Sequence, residues 1–411
     1  MLKEKHLVPK LRFSEFEEIW EKKRFSKYIK LYRGSSPRPI NQYLTNEENG
    51  VNWIKIGDTK NVINNLLSNV SEKITEKGAT KSRKVKKGEL ILANSMSFGK
   101  TYLLDIDGCI YDGWFVLREY EDFFNKTFLI QQLNSEFLQK QYKRLSAGGV
   151  VQNISSEIVY STYLCKPSIP EQQKIANFLT AIDNQIQTLE KKKSLLEQYK
   201  KGVMQKIFKQ ELRFKDDDGN AFPGWELVKL KEVLKRSKLK NTDVKIKYVL
   251  TNSATQGIVS QNDYFDKDIA NQNNLQGYYI VEKDDFIYNP RISQFAPVGP
   301  LKRNKLAQGV MSPLYTVLRP KKGNLEFLEF YFETTLWHKY MKAIANYGAR
   351  HDRMNITMTD FENLPIPFPL LQEQIKIANF LSAIDKNIAL LNTKIEQTKA
   401  YKKGLLQQMF V

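Results

Sequence analysis

EQQKIANFLTAIDNQIQTLEKKKSLLEQYKKGVMQKIF, residues 171–208, returns as EQIKIANFLSAIDKNIALLNTKIEQTKAYKKGLLQQMF, residues 373–410, with roughly half the positions identical at a constant offset of 202. Both copies carry a seven-residue apolar period: Ile175, Ile182, Leu189, Leu196 and Val203 with Phe178 and Tyr199 in the first, Ile377, Ile384, Leu391 and Leu405 with Phe380 and Tyr401 in the second. Each copy therefore reads as a helix with one apolar stripe. Gln185 and Lys192, and Asn387, Lys394 and Gln408, interrupt the second column. About 38 residues at 1.5 Å each make a rod of roughly 57 Å, too long to stay folded alone in water. The simplest partner for each rod is the other, and two linked, similar halves favour a pseudo-twofold with antiparallel helices. Gly202 and Gly404 interrupt both rods inside YKKG, marking a close approach, a bend or a tolerated weak spot.

Outside the rods the likeness continues more faintly. PKLRFSEFEEIWEKKRF from residue 9 answers QELRFKDDDGNAFPGWELVKL from residue 210, each leading from LRF to a tryptophan, Trp20 or Trp225. VKKGELIL (85–92) answers VEKDDFIY (281–288), FVLR ending at Arg118 answers TVLR ending at Arg319, and Asn153-Ile154 answers Asn355-Ile356. Short β-branched and aromatic runs separated by Gly, Asn, Asp and Pro predict strands, among them WIKIG, GELILAN and IYDGWFVLR in one module and KYVLT, GYYIV and LYTVLRP in the other. KTFLIQQLNSEFLQKQYKRL and LEFLEFYFETTLWHKYMKAIA read as helices. The expected fold class is α+β, with domains at 1–168 and 210–369 and long helices at 169–209 and 370–411. Pro167 and Pro170, and Pro365, Pro367 and Pro369, block helix until each rod begins.

The chain of 411 residues carries 64 Lys and Arg against 45 Asp and Glu, a net charge of +19, which favours a polyanionic partner. With 12% aromatic residues it is a folded protein rather than a basic tail. No apolar run is long enough for a membrane span, and MLKEKHLVPKLRF lacks the apolar centre of a secretory leader, so a cytoplasmic location is expected, with Cys109 and Cys165 as free thiols.

The module order, the paired IANFLxAID helices, the KLRF start, VKKGELIL and the SIPEQQKIA and PIPFPLLQEQIKIA junctions resemble the specificity subunits of type I restriction-modification enzymes over essentially the whole chain. That resemblance implies two target recognition domains of mixed α/β fold, each reading one half of a split, asymmetric double-stranded DNA sequence. Between them, two long helices, the conserved helices of that family, would form an antiparallel coiled-coil pair that sets the spacer. It further implies no catalysis and no cofactor in this chain. Two methyltransferase subunits using S-adenosylmethionine, and restriction and translocase subunits using ATP and Mg, would supply the chemistry of adenine methylation and defence against foreign DNA. A coiled-coil scaffold or RNA-binding adaptor is the alternative.

The residues bear on that expectation independently. No GxxxxGK[ST] loop is present, IYNPR (287–291) lacks the second proline and the aromatic of an amino-methyltransferase loop, and three histidines with two distant cysteines make no zinc set. Asp284 and Asp285 with Lys283, and Asp216 to Asp218, are the only candidates for the clustered carboxylates of a metal-dependent nuclease, and both read as solvated turns. For DNA, loops rich in Arg, Lys and amides offer phosphate and base-edge contacts. In the first module these are Arg33, Ser35, Ser36, Arg38, Lys81, Arg83, Asn94, Ser95, Ser97, Lys100, Gly149 and Gln152. In the second they are Arg236, Lys238, Asn252, Gln256, Asn289, Arg291, Ser293, Gln294, Tyr347, Arg350, His351 and Arg353. For any single Lys or Arg, an ordinary solvated charge is the plain alternative; Lys191 to Lys193, Lys200 and Lys201 on the rods divide between phosphate contacts and a solvated face. Asn153 and Asn355, identical in both modules, are expected to cap the following segment or to dock on a partner.

Overall fold

Trp20 and Trp225, so far apart in the chain, do the same thing. In the computed structural model, which describes residues 8–62, 64–95, 99–146, 153–264, 272–346 and 352–410, each indole N–H donates to the first glutamate of a long helix. The first long helix runs Ile169–Phe208 and the second Leu371–Met409. Two compact units result, one of residues 1–191 with 392–411, the other of residues 192–391, so each contains one part of both helices.

In the first unit a five-stranded sheet has the order Lys30–Arg33, Trp114–Arg118, Leu90–Ala93, Thr101–Leu104, Leu66–Leu67. A second five-stranded sheet is ordered Leu44–Thr45, Glu72–Ile74, Val51–Ile54, Gly108–Ile110, Arg83–Val85. Strand alternation divides the core. Leu90, Leu92, Phe115 and Leu117 face a cluster with Trp20, Phe128, Ile175, Leu179, Leu405 and Phe410, whereas Ile91, Ala93, Trp114 and Val116 face another with Ile54, Leu67 and Tyr102. Because both faces are covered, LILA (90–93) reads as a continuous apolar run.

The second unit repeats this plan on divergent residues. Its four-stranded sheet runs Leu234–Ser237, Thr316–Pro320, Phe286–Tyr288, Leu301–Arg303, matching the first four strands of the other. Phe286, Tyr288 and Leu318 pack with Phe208, Phe327 and Ile377, while Ile287 and Val317 face the cluster of Leu250 and Met311. Matching two-stranded ribbons, Glu21–Arg24 with Tyr163–Lys166 and Glu226–Lys229 with Pro365–Phe368, lead the chain towards each long helix. The turn before the Leu90 strand has Gly88 at φ +87°, and Asp284 takes its place at φ +72°. Next to it, Glu89 pairs with Arg118 at 2.6 Å and Asp285 with Arg319 at 3.1 Å. Asp285 is 1% exposed. The expectation of a solvated turn at Asp284 and Asp285 is corrected: both acids pair with arginines of neighbouring strands, Asp285 with Arg319 and Asp284 with Arg303 at 2.6 Å.

The two expected helix stretches are each broken. Lys126–Leu133 ends where Asn134 turns its side chain onto Thr101 N and O, both at 2.9 Å, before Glu136–Ser146 begins. Leu325–Glu333 likewise ends at the buried Thr334 before His338–Ile344. The caps of the short helices before the rods are Ser155 and Thr357, whose hydroxyls accept from Ile158 N and Asp360 N. That corrects the capping role expected for Asn153 and Asn355. Asn355 instead offers its carbonyl to Asn346 N at 2.9 Å.

Glu171 and Glu373 anchor the rods. Arg12 reaches both Glu171 oxygens at 2.7 and 2.8 Å, and Trp20 Nε1 lies 3.1 Å away; Arg213 reaches Glu373 at 3.2 and 2.8 Å, with Trp225 Nε1 at 2.9 Å. Such forked bonds satisfy the acceptors of a buried carboxyl group, and the first helical turn suits an acidic side chain. Beside them, Gln172 accepts from Asn125 N and Gln374 from Asn324 N, both at 2.8 Å, and those asparagines cap the helices starting at Lys126 and Leu325. The repeated EQ thus joins each rod to the sheet-packing helix of its own unit.

Within each unit the two helix segments run antiparallel. Asp183 meets Lys402 at 2.6 Å and Glu190 meets Lys399 at 2.8 Å in the first; Lys200 meets Asp385 at 2.7 Å in the second. Ile175, Ile182, Ile377 and Ile384 are buried, and Leu189, Leu196 and Leu391 are half-buried. Phe178 and Phe380 are half-buried and stand edge-on to Phe13 and Phe214. Tyr199 and Tyr401, however, are 54% and 58% exposed, a correction to their place in the helix-pair interface. The 3.6-residue turn drifts about 20° per heptad from a strict seven-residue column, and the phenol gains by keeping its hydroxyl wet. The burial passes instead to Leu179, Ile186, Met204, Ile207, Leu381 and Ile395. Nothing lies within 4 Å of a Cβ placed on Gly202 or Gly404, so neither marks a close helix approach.

Two predictions follow from the anchoring. Glu171→Ala or Glu373→Ala strands a guanidinium and an indole N–H, and each should cost about 3–5 kcal/mol in denaturant titration; a loss below 1 kcal/mol would deny the clamp its role. A double-mutant cycle of Asp183→Ala and Lys402→Ala should give a coupling of about 0.5–3 kcal/mol, and strict additivity would show that the pair does not interact.

Candidate nucleic-acid interface

Asp112, in the turn before strand Trp114–Arg118, gathers the basic loop of the first unit. Ser36 Oγ donates to one carboxylate oxygen, Arg38 Nη2 lies 3.3 Å from the other, and the Asp112 carbonyl accepts from Asn94 Nδ2 at 2.8 Å and Arg33 Nε at 3.4 Å. Burial alone would push the carboxyl up, but bonds from Ser36, its own backbone and Arg38 hold it below the ordinary aspartate value. It therefore stays an ionised acceptor and fixes the loop, while the Arg38 side chain remains 83% exposed.

Around it, Ser35 Oγ donates to Lys81 O at 3.4 Å, and Arg83 donates to Arg33 O at 3.1 Å while lying over the Tyr32 ring. Lys81 bonds the Tyr43 hydroxyl at 2.6 Å. The fold thus brings Arg33, Ser35, Ser36, Arg38, Lys81, Arg83 and Asn94, from three separate chain segments, into one neighbourhood with Asp112. A cavity of about 420 Å³ adjoins it, lined by Arg33, Asn94, Asn153, Ser155, Glu157 and Tyr160 among others. Lys100 is exposed beside the Tyr102 ring, and Ser95 is half-buried.

The second unit builds its loop differently. Asn289 Oδ1 accepts from Arg291 N at 3.0 Å, Arg291 and Arg353 form an antiparallel bridge, and Met354 N donates to Pro290 O at 2.9 Å. Asn252, Asn289, Arg291, Ser293 and Arg353 line a cavity of about 350 Å³ with Thr251 and Tyr315. Ser293 and Gln294 are exposed, as are Gln256 in the hairpin joining Leu250–Ser253 to Gly257–Ser260 and Lys238 just beyond strand Leu234–Ser237; Arg236 on that strand is half-buried. These last three do not line the cavity.

Asn94 and Asn252 require correction as exposed DNA contacts. They are 6% and 4% exposed, and their amide nitrogens are spent on backbone carbonyls, Asp112 O for Asn94 and Ile287 O at 2.8 Å for Asn252. Both brace loops rather than present an edge. Ser97, Gly149, Gln152, Tyr347, Arg350 and His351 lie outside the described residues. Asp112 was missed because an acid in a basic loop is not sought as its organiser; IYDGW, read only as a strand and turn, held the signal. Asp216 accepts from Asp218 N and Asn220 N, as a turn residue does. Among the described residues no group of three or more His, Cys, Asp or Glu is placed to hold a metal, and no helix is long and apolar enough to cross a membrane.

Comparison with known proteins agrees with this duplicated plan. The family described as type I restriction modification DNA specificity domain matches twice, over residues 18–198 and 223–400. The type I restriction enzyme MjaVIII specificity subunit of Methanocaldococcus jannaschii is 24% identical over 296 residues, 67% of this chain and 66% of that protein, so the chain spans just under two thirds of its length. One chain from a structure of complex assembly and conformational transition of the type I R-M system is similar at TM-score 0.57 and 19% identity, covering 95% of this chain and 96% of that one. The type I restriction-modification system S subunit from M. genitalium is similar at TM-score 0.52 and 14% identity, covering 98% and 99%. These two likenesses show the fold. The double match, falling on both sheet-bearing units and running into both long helices, places the chain in the type I restriction-modification DNA specificity family, to which it belongs.

Proposed function

We propose that this chain is the DNA-reading subunit of a type I restriction-modification complex and carries out no chemistry itself. Each unit reads one half of a bipartite, asymmetric double-stranded site, and the helix pair sets the distance between the halves. Two methyltransferase subunits with S-adenosylmethionine methylate adenine where it docks, and ATP- and Mg-dependent restriction and translocase subunits act from the same platform.

The observation that carries this reading is one scaffold bearing two unlike loops. The same strand order and the same Glu–Arg or Asp–Arg pair at the strand ends recur, yet one unit presents Arg33, Arg38, Lys81 and Arg83 around Asp112 and the other Arg291 and Arg353 around Asn289. Arginine contacts phosphates and reads guanine, whereas amides suit adenine. A scaffold that stays constant while its loop chemistry changes suits two readers of different sequences. Long helices of 40 and 39 residues, at 1.5 Å per residue, give a span of roughly 60 Å for the ruler.

The purified chain with S-adenosylmethionine should transfer no methyl group to DNA, and methylation should appear on adding a cognate methyltransferase; transfer by the chain alone would sink the proposal. Replacing residues 215–365 by the equivalent module of another family member should change one half of the methylated sequence, read by methylation-sensitive sequencing, and leave the other half intact. A change in both halves would contradict independent reading.

A further inference from the structure

Phe295 is 72% exposed, the most exposed aromatic side chain among the described residues. It sits at the tip of a closed turn. Ser293 and Ala296 exchange backbone hydrogen bonds of 3.1 Å in both directions, and Ala296 N also donates to Ser293 Oγ at 3.2 Å, leaving Gln294 and Phe295 outermost. Beyond the turn the chain is pinned inward by the buried Ala296 and Val298. Gly299, at φ +79°, lies so close to Asn289 that a Cβ would come within 2.1 Å of its carbonyl oxygen. On the other side Ile292 N donates to Asp352 O at 3.0 Å, which with the Arg291–Arg353 bridge sets two guanidinium-bearing residues at the base of the turn.

A solitary apolar side chain on a surface is ordinary. A phenyl ring held at the tip of a hydrogen-bonded turn, next to a glutamine and above two arginines, is a narrower case. The arginines favour a polyanion, and a ring finds apolar cover on a polyanion only between or upon its bases, because every base has a π-face. Phenylalanine is also among the side chains that wedge base steps apart in duplex DNA. On the reading of this chain as a DNA-recognition subunit, we propose that Phe295 is a wedge. It enters a base step of the half-site read by the second unit and unstacks it, while Arg291 and Arg353 hold the adjoining phosphates. Specificity at that step then comes from how easily it opens, with no hydrogen bond to the base required.

The test uses the full chain with its methyltransferase partners and a duplex of the methylated sequence, carrying 2-aminopurine at successive positions of that half-site. Fluorescence should rise at one step on binding. Phe295→Ala should abolish the rise and weaken binding roughly 5- to 100-fold without changing the slope of log K against log salt. Phe295→Trp should retain the affinity, and Arg291→Ala should shrink the slope by about 1. A Phe295→Ala complex with unchanged affinity, or with the fluorescence rise intact, overturns the wedge. So does a variant that loses methyltransferase binding but keeps the affinity of the chain for DNA, since Phe295 would then be a protein contact. Failure of the unmodified complex to bind any specific duplex would instead overturn the DNA-reading function on which the wedge rests.

Discussion

A carboxylate buried at the first turn of each long helix is the constraint on which the structure depends. Glu171 and Glu373 have almost no contact with solvent, so each must be fully paired or be a heavy liability. The pairing comes from Arg12 and Trp20, or Arg213 and Trp225, well over a hundred residues earlier in the chain. Satisfying one charge therefore closes a whole unit: the segment entering the fold is tied to the helix leaving it. The adjoining glutamine extends the tie to the cap of the helix that covers the sheet.

A second set of charges, part-buried between the helices, governs their pairing. Asp183 with Lys402, and Lys200 with Asp385, use the same two positions of the repeat in opposite roles, since each pair joins the aspartate of one copy to the lysine of the other. Burial alone would lower the Lys200 ammonium, but Glu333 and Asp385 outweigh it and hold the group above its ordinary value. Apolar stripes attract in many registers, whereas a buried lysine must meet its acid. The charges therefore select both the antiparallel sense and the register that the stripe leaves open, a use of buried polarity well known from paired helices.

Against this fixed frame the two polar loops diverge. The first organises its basic groups around an ionised aspartate, the second around an asparagine and a bridge between two arginines. In both, polar side chains that look like contacts in the sequence are consumed in bracing, as at Asn94 and Asn252. The exposed remainder, Arg38 and Arg291 among them, is available to a partner. Bracing and exposure are thus divided between residues of the same chemical type.

The sequence by itself determined the duplication, the two helices, their apolar stripe and the α+β modules, because these depend on periodicity and on local propensity along contiguous residues. It also placed the basic loops, since charge and turn residues cluster in the chain. Tertiary structure alone decided what the repeated LRF, Trp, EQ, Asp and Lys were for, as their partners lie far away in sequence and no period connects them. It decided that Tyr199 and Tyr401 face water, because a real helix drifts from a seven-residue column. It moved capping from Asn153 and Asn355 to Ser155 and Thr357, two residues along, where a hydroxyl meets a free N–H. The burial of Asn94, Asn252 and Asp285 was equally hidden: a polar residue type states which bonds it can make, and only the packed chain states which of them are already taken.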